Sequence, residues 1–289
     1  MRILVTNDDG IESEGIHVLA RAVADEGHEV VVVAPSTNWS GAGAALGDLD
    51  PARPLSVRRV EIPDAPDLVA WALDGPPALC VVAARLGAFG DEPELIVSGI
   101  NAGLNTGRAI LHSGTVGAVL AGQNFGISGL AVSVASGDHW HWDTAAALAV
   151  EVLPLVVSAP ARTALNLNVP ALPRSEVAAV RWTRIAPLGA VRARLNSTGD
   201  EQVEFSLEPT GYEPPEDTDQ GAVNRGHAAL TTLVGIVEAW PDPVDAAVVG
   251  EGDVSVHLAP GAELHPVHTV PDAADHRLLR RPDLGLDPS

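Results

Sequence analysis

The chain has 289 residues, of which 46% are hydrophobic and 3% aromatic, and its formal net charge is −21, with 17 basic residues that are all arginine. Such an acidic surface repels the phosphates of DNA and RNA, so we expect no nucleic acid polymer as a partner. No apolar run approaches the length of a membrane span, the N-terminus lacks a signal-peptide pattern, and the single cysteine, Cys80, excludes a disulfide framework, so we expect a cytoplasmic protein without a membrane partner.

Alternating strand and helix patterns begin at the second residue. Residues 2–6 are an apolar run typical of a buried strand, and the apolar spacing of residues 14–25 predicts an amphipathic helix that ends at Gly27. The β-branched run at residues 29–34 predicts a central parallel strand. These segments together predict one βαβ unit.

The same alternation continues to about residue 170. Further strands are predicted at residues 69–73, 94–98, 130–135 and 162–169, and further helices from residues 74–77 to Leu86, from Ser113 to Gln123 and from an Asp143 cap to about Val157. Glycine-rich loops are predicted at residues 35–47 and 99–107. Because strands and helices alternate throughout, the fold class is α/β, with a Rossmann-like, doubly wound, mostly parallel sheet.

The pattern changes after residue 170. Strand-like segments follow at residues 177–185, 202–207 and 228–237 without helices between them, and the chain from about residue 261 is rich in Pro, Asp and His. We therefore expect a catalytic core at 1–170, a β-rich C-terminal extension at 171–255 and a flexible tail at 256–289.

Two adjacent aspartates, Asp8 and Asp9, follow the first strand directly. Ligands of a parallel α/β sheet bind just beyond the carboxyl ends of its strands. Two neighbouring carboxylates repel each other unless a cation or a proton lies between them, and a hard divalent metal with oxygen ligands is the usual answer. Taken alone, the pair has a second interpretation, in which Asp9 belongs to a turn and Asp8 caps a helix.

Three more polar clusters are predicted at the same edge of the sheet: residues 38–41, Asn101 with Asn105, and residues 113–115. Their hydroxyl and carboxamide groups, with the two aspartates, form an all-oxygen ligand set. A Ser-Gly-Thr helix start offers free N–H groups and hydroxyls to an anion. Each cluster alone is explained as well by a helix cap or a turn, but a hard cation beside an anion site indicates phosphate chemistry.

Familiar motifs of other nucleotide-binding proteins and hydrolases are missing. The chain has no Gly-Lys-Ser/Thr, and its first turn has no Gly-x-Gly-x-x-Gly, so a Walker loop is excluded and ordinary dinucleotide binding is disfavoured. The absence of Gly-x-Ser-x-Gly argues against a serine hydrolase of the α/β type.

On these motifs the sequence resembles the SurE family of metal-dependent nucleotidases, the stationary-phase survival proteins. The resemblance covers roughly residues 1–240. It rests on residues 2–11, 34–35 with 38–41, 98–105, 113–116, 166–170 and 217–219.

The resemblance implies hydrolysis of nucleoside 5′- or 3′-monophosphates to nucleoside and phosphate. It also implies a β-rich extension that builds a homodimer or homotetramer, and one divalent cation per subunit, for which we expect Mg²⁺ or Mn²⁺. The family's metal ligands correspond to Asp8, Asp9, Ser40 and Asn101. We assign catalysis to Asp8 and Asp9, and phosphate binding to Asn105, Ser113, Gly114 and Thr115.

Two alternatives stay open at this point. The chain could be a non-catalytic sensor of nucleotide or metal, or a phosphatase for a non-nucleotide metabolite or short polyphosphate. The chain also departs from the family pattern in two places: an acidic residue is common near Arg108, and a tyrosine is common at the position of His112. We expect these departures to affect substrate preference or pH profile.

Overall fold

A nine-stranded, mostly parallel sheet organises the compact unit formed by residues 1–235. The computed structural model describes residues 1–188, 191–198 and 202–236. The strands are β1 (Arg2–Thr6), β2 (Glu29–Pro35), β3 (Val57–Ile62), β4 (Ala65–Leu73), β5 (Leu95–Ala102), β6 (Ser128–Val134), β7 (Ala164–Val169), β8 (Val180–Trp182), β9 (Val191–Thr198), β10 (Val203–Pro209) and β11 (Ala228–Leu233). The helices are α1 (Glu14–Asp25), α2 (Pro77–Arg85), α3 (Gly114–Asn124), α4 (Trp142–Ser158) and α5 (Asp219–Val223), with 3₁₀ turns at Gly107–His112 and Arg174–Glu176.

The strand order is β3-β4-β2-β1-β5-β6-β7-β11-β8. In this order the six adjacent strands β4, β2, β1, β5, β6 and β7 are parallel to one another. The strands β3 and β11 run antiparallel to their inner neighbours, β4 and β7. The chain moves outward from β1 through β2 on one side and through β5 on the other. The crevice beyond the carboxyl ends of β1 and β5 is therefore the switch point at which sheets of this kind bind ligands.

Helices cover both faces of the sheet, as predicted for a doubly wound fold. Ile3 and Val5 of β1 face the layer that contains α1 and α4, while Leu4 faces the layer that contains α2 and α3. Complete burial of one such aliphatic side chain stabilises the folded state by about 1.5–3 kcal/mol. Cys80 is buried on α2, which confirms a packing role for it, and burial raises the pKa of its thiol.

The predicted elements of the first half are confirmed with three corrections. Strand β5 continues past Ser98 to Ala102, so the loop predicted at 99–107 begins too early; a register shift lets Asn101 pair with Ser133 beyond Gly99, whose φ is +135°. Strand β3 was not predicted, because its exposed arginines hide the alternation. Helix α4 begins at Trp142 with His141 at the N-cap position, so Asp143, predicted as the cap, lies in the first turn.

Two strands of the second half, β11 and β8, belong to the nine-stranded sheet, which the sequence did not indicate. Strand β11 pairs with β7 and β8 pairs with β11, whereas β9 and β10 form a separate hairpin. The strand predicted at 177–185 is only three residues long, and β9 and the short helix α5 were not predicted. The boundary at residue 170 stays a prediction, and the tail at 256–289 lies outside the described residues.

No helix in the described part of the chain is both long enough and apolar enough to cross a bilayer.

Candidate metal and phosphate site

Asp8 lies at the carboxyl end of β1 and is only 3% exposed. Its Oδ1 accepts a 2.5 Å hydrogen bond from the Thr115 hydroxyl, and its Oδ2 accepts a 3.1 Å bond from the Gly114 main-chain N–H. Both donors belong to the first turn of α3. The start of α3 therefore holds the Asp8 carboxylate by both oxygens.

Gly114 allows this close approach. A Cβ atom at this position would lie 2.6 Å from the Asp8 Cβ and 2.8 Å from its Oδ2, closer than real contacts allow. Ser113 caps the same helix, because its hydroxyl accepts a 3.1 Å bond from the Val116 N–H. The predicted Ser-Gly-Thr helix start is therefore present, and the partial positive charge of a helix N-terminus faces Asp8.

Asp9 is half-buried and joins two other elements of the sheet edge. Its Oδ2 accepts a 3.2 Å hydrogen bond from the main-chain N–H of Ala102, the last residue of β5. Its Oδ1 accepts a 3.3 Å bond from the Asn38 side chain, which lies in the loop after β2. The aspartate pair is thus the point at which the ends of β1, β2, β5 and α3 meet.

The electrostatics of the pair favour a cation. Burial raises the pKa of both carboxyls; for Asp8 the Thr115 hydrogen bond opposes this rise and the neighbouring Asp9 charge adds to it. In the described part of the chain, neither carboxylate forms an ion pair with an arginine or a histidine. A divalent cation would supply the missing positive charge, so the residues present fit one.

Within the described part of the chain, any further protein ligands of such a cation are neutral. Among the described residues, no cluster of three or more His, Cys, Asp or Glu side chains could hold a metal. Ser40 and Asn101, the other predicted ligands, lie next to groups that touch the aspartates. The Trp39 N–H donates to the Asp8 carbonyl at 2.7 Å, and the Ser40 N–H donates to Asn38 Oδ1 at 2.8 Å.

Asn101 precedes Ala102 on β5. Its Nδ2 donates a 2.6 Å bond to the Gly103 carbonyl, which leaves the side-chain oxygen as the atom suited to a cation. Ser40 and Asn101 are therefore each next in sequence to a residue that contacts the aspartate pair, and their side chains carry oxygen atoms of the kind that Mg²⁺ and Mn²⁺ prefer.

Asn105, another predicted phosphate ligand, is buried and only 8% exposed. Its carbonyl accepts bonds from Asn166 and Asn168 of β7 at 2.8 and 3.0 Å, and its N–H donates to Asn168 Oδ1 at 2.8 Å. Its own Nδ2 donates to the Ser133 hydroxyl at 2.8 Å. The carboxamide network fixes Asn105 firmly, and its contact with phosphate stays a prediction.

A family model described as survival protein SurE matches residues 3–189. The chain belongs to the SurE family. It is 38% identical over 242 residues to the 5′-nucleotidase SurE of Stenotrophomonas maltophilia (strain R551-3), which covers 81% of this chain and 89% of that relative. It is also 38% identical over 240 residues to the 5′/3′-nucleotidase SurE of Serratia proteamaculans (strain 568), with 81% and 90% covered.

The fold of the SurE family is confirmed by a solved structure. The crystal structure of SurE from Aquifex aeolicus matches with a TM-score of 0.69 and 31% sequence identity, and the match covers 82% of this chain and 95% of that one. The resemblance drawn from the motifs and the α/β fold class are both confirmed.

Sequence reasoning missed two contacts that shape this SurE site. Residues 38–41 were predicted at this edge of the sheet, but the bond from Asn38 to Asp9, 29 positions away, was not. The contacts of Asp219 with the loop before α3 were also missed, although residues 217–219 were noted as a family landmark.

The two departures from the family pattern lie on the 3₁₀ turn before α3. Arg108 donates through Nε to the Pro187 carbonyl at 2.9 Å. His112 is exposed, and its carbonyl accepts a 3.2 Å bond from the Gly43 N–H.

Proposed function

We propose that this SurE protein is a phosphomonoesterase that hydrolyses nucleoside 5′- or 3′-monophosphates to nucleoside and phosphate. Its relatives carry the names 5′-nucleotidase and 5′/3′-nucleotidase. The observation that carries the proposal is the position of Asp8, which lies beside Asp9 and is bonded by the first turn of α3. An acidic pair next to a helix start is suited to a substrate that brings a phosphate to a cation.

The proposed cofactor is one divalent cation per subunit, Mg²⁺ or Mn²⁺. SurE nucleotidases depend on metals as a class. The proposed ligands are Asp8, Asp9, Ser40 and Asn101, because their oxygen atoms suit a hard cation and the two carboxylates lack a positive partner among the described residues. When bound, the cation supplies Lewis-acid catalysis and neutralises phosphate charge.

The protein groups have separate tasks in this proposal. Thr115 and Gly114 fix the direction of the Asp8 oxygens. Asp9 accepts a proton from the attacking water, since Oδ1 has only the 3.3 Å bond from Asn38, whereas both oxygens of Asp8 are held by α3. Uncatalysed phosphate-monoester hydrolysis is among the slowest reactions known, so electrostatic stabilisation must supply most of the rate.

The phosphate is assigned to the start of α3, with Asn105, Ser113, Gly114 and Thr115 around it. In the first turn, the Gly114 N–H is bonded to Asp8 and the Val116 N–H to the Ser113 hydroxyl. That leaves the Thr115 N–H as the first-turn donor without an acceptor among the described residues. A phosphate oxygen is the natural acceptor for it.

We also propose that residues 171–255 assemble the chain into a homodimer or homotetramer. Leu195 and Phe205 of the β9–β10 hairpin are 52% and 67% exposed, which supports an interface there. The net charge of −21 supports a small-molecule substrate over a nucleic acid polymer. The single cysteine favours a reducing compartment such as the cytoplasm.

The test is phosphate release from a panel of nucleoside 5′- and 3′-monophosphates with Mn²⁺, with Mg²⁺ and with chelator. We expect Asp8→Asn and Asp9→Asn to abolish release, while Asp25→Asn, which changes an exposed carboxylate at the C-terminal end of α1, leaves it unchanged. Nucleotide binding without phosphate release would favour a sensor. Faster release from a sugar phosphate or short polyphosphate would favour the other alternative substrates.

A further inference from the structure

Asp219 is a fully buried carboxylate outside the proposed metal site. Its Oδ2 accepts a 2.8 Å hydrogen bond from the Gly107 N–H, 112 positions away in the sequence. Its Oδ1 accepts bonds from the Ala186 and Gln220 N–H groups at 2.9 and 2.7 Å. Only the Gln220 bond is local, so the carboxylate joins the loop before α3 to two C-terminal segments.

Neighbouring contacts strengthen the same junction. The Thr106 hydroxyl donates to the Gln220 side-chain oxygen at 2.6 Å, and Arg108 donates to the Pro187 carbonyl at 2.9 Å. Gly107 has a φ of +58°, and a Cβ atom there would lie 3.2 Å from the Leu188 carbonyl oxygen. Residues 106–108 are therefore held along their length by the part of the chain that follows β8.

The opposite side of this loop is held by the sheet. Asn105 is bonded to Asn166 and Asn168 of β7, as described above. From Gly107 the chain enters the 3₁₀ turn Gly107–His112, whose end is tied to Ser113 by the bond from the Ser113 N–H to the Ile110 carbonyl at 3.1 Å. The short turn transmits the position of Gly107 to the start of α3.

We propose that Asp219 is a positioning residue for the phosphate site, which it serves by holding the Gly107–His112 turn, and with it the start of α3, in register with Asp8. This inference rests on the proposed function. It gives the C-terminal segments a role in substrate binding as well as in assembly. Asp8 is held by the same start of α3, whereas Asp9 is held by Asn38 and Ala102, so we expect substrate affinity to fall more than metal affinity.

The decisive variant is Asp219→Asn, which keeps the size of the side chain. Its amide NH₂ would face either the Gly107 N–H, with the loss of one hydrogen bond, or the Ala186 and Gln220 N–H groups, with the loss of two. We expect KM for a nucleoside monophosphate and Kd for inorganic phosphate to rise about tenfold to a hundredfold, the equivalent of one hydrogen bond to a charged group. The affinity of the substrate-free protein for Mn²⁺ should fall by a smaller factor, because Asp9 keeps its contacts with Asn38 and Ala102.

Two controls come from the same region. Thr231→Val removes the buried 2.9 Å bond between Thr231 and Thr183 without touching residues 105–108, so it tests a general loss of stability. Asp217→Asn removes an exposed ion pair with Arg184. Both should keep KM and phosphate Kd at wild-type values even if the melting temperature falls.

Phosphate binding is measured by calorimetry with Mn²⁺ present, so the result does not depend on turnover. Wild-type KM and Kd in Asp219→Asn would overturn the inference, as would wild-type protein that binds no phosphate. A wild type that binds phosphate but releases none from any substrate would instead overturn the proposed function. If Asp219→Asn does not fold, Thr106→Val removes the adjacent contact, and an unchanged phosphate Kd in that variant would likewise overturn the inference.

Discussion

The hydroxyl of Thr115 donates a 2.5 Å hydrogen bond to the carboxylate of Asp8 across 107 positions of sequence, and both side chains are buried. The bond commits the only hydroxyl proton of Thr115 to the aspartate. From the sequence, this hydroxyl was assigned to phosphate. The hydrogen bond indicates a second role, in which Thr115 orients Asp8, a proposed metal ligand. The two roles predict different effects of a Thr115 substitution on metal and phosphate affinity.

The first prediction separates them through Thr115→Val. Because the valine cannot donate to Asp8, we expect Mn²⁺ affinity to fall about tenfold to a hundredfold, in line with the ~1.5–3 kcal/mol of a hydrogen bond to a charged group. Calorimetric titration of the substrate-free protein measures this directly. Thr115→Ser restores the hydroxyl and should recover most of the affinity. Unchanged Mn²⁺ affinity combined with a raised KM would show that the Thr115 hydroxyl binds the phosphate and does not orient Asp8.

The second prediction concerns the close approach of α3. Gly114→Ala places a methyl group 2.6 Å from the Asp8 Cβ, so either α3 or Asp8 must move. We expect loss of more than nine-tenths of kcat/KM and a destabilisation of about 1–3 kcal/mol, the usual cost of overpacking a buried position. Gly75→Ala is the matched control, because its new methyl meets only the flexible end of Leu79. Equal loss in both variants would show a general effect of the substitution.

The sequence predicted the elements best where the hydrophobic periodicity and the flanking residues indicate the same element. The bounds of β1 and α1 were predicted correctly, because an apolar run and an amphipathic spacing leave little choice. The strand-end position of Asp8 and Asp9 followed from the same reasoning. Strand β3 was missed because an exposed edge strand needs no continuous apolar face.

What the sequence did not predict at the site are the specific contacts between distant residues. Asn38 reaches Asp9 only because the loop after β2 folds over the end of β1. Asp219 reaches Gly107 only because β11 returns beside β7, a pairing that no local pattern announces. A polar residue in a loop looks the same in the sequence whether or not it has such a partner.

The third prediction is a pH dependence of the metal-free protein. Burial raises the pKa of Asp8 above its ordinary value, so ionisation is less favourable in the folded than in the unfolded chain. The contribution of Asp8 to stability is therefore fully present at acidic pH, below the unfolded pKa of about 3.9, and is lost as pH rises through the folded pKa.

Asp8→Asn removes the ionisable group, so the stability of the variant should not fall as the pH rises through the folded pKa of Asp8. In the presence of chelator, we expect the variant to melt at least ~2 °C above wild type at neutral pH, which corresponds to about 1 kcal/mol for a domain of this size, and the gap should shrink towards pH 4. Added Mn²⁺ should raise the melting temperature of wild type and leave that of the variant almost unchanged. A gap that stays constant with pH would show that ionisation of Asp8 is not its cause.

The last prediction concerns assembly through the β9–β10 hairpin. Leu195 and Phe205 are cross-strand partners, yet they are 52% and 67% exposed, and a two-stranded hairpin is at best marginally stable in water. A second copy of the chain that packs on this pair would bury both. We expect light scattering to give the mass of a dimer or tetramer for wild type and a smaller mass for Phe205→Asp. Leu86→Asp, at a leucine that is 76% exposed at the end of α2, is the control and should keep the wild-type mass. A wild-type monomer, or an unchanged mass in Phe205→Asp, would exclude the hairpin as the assembly surface.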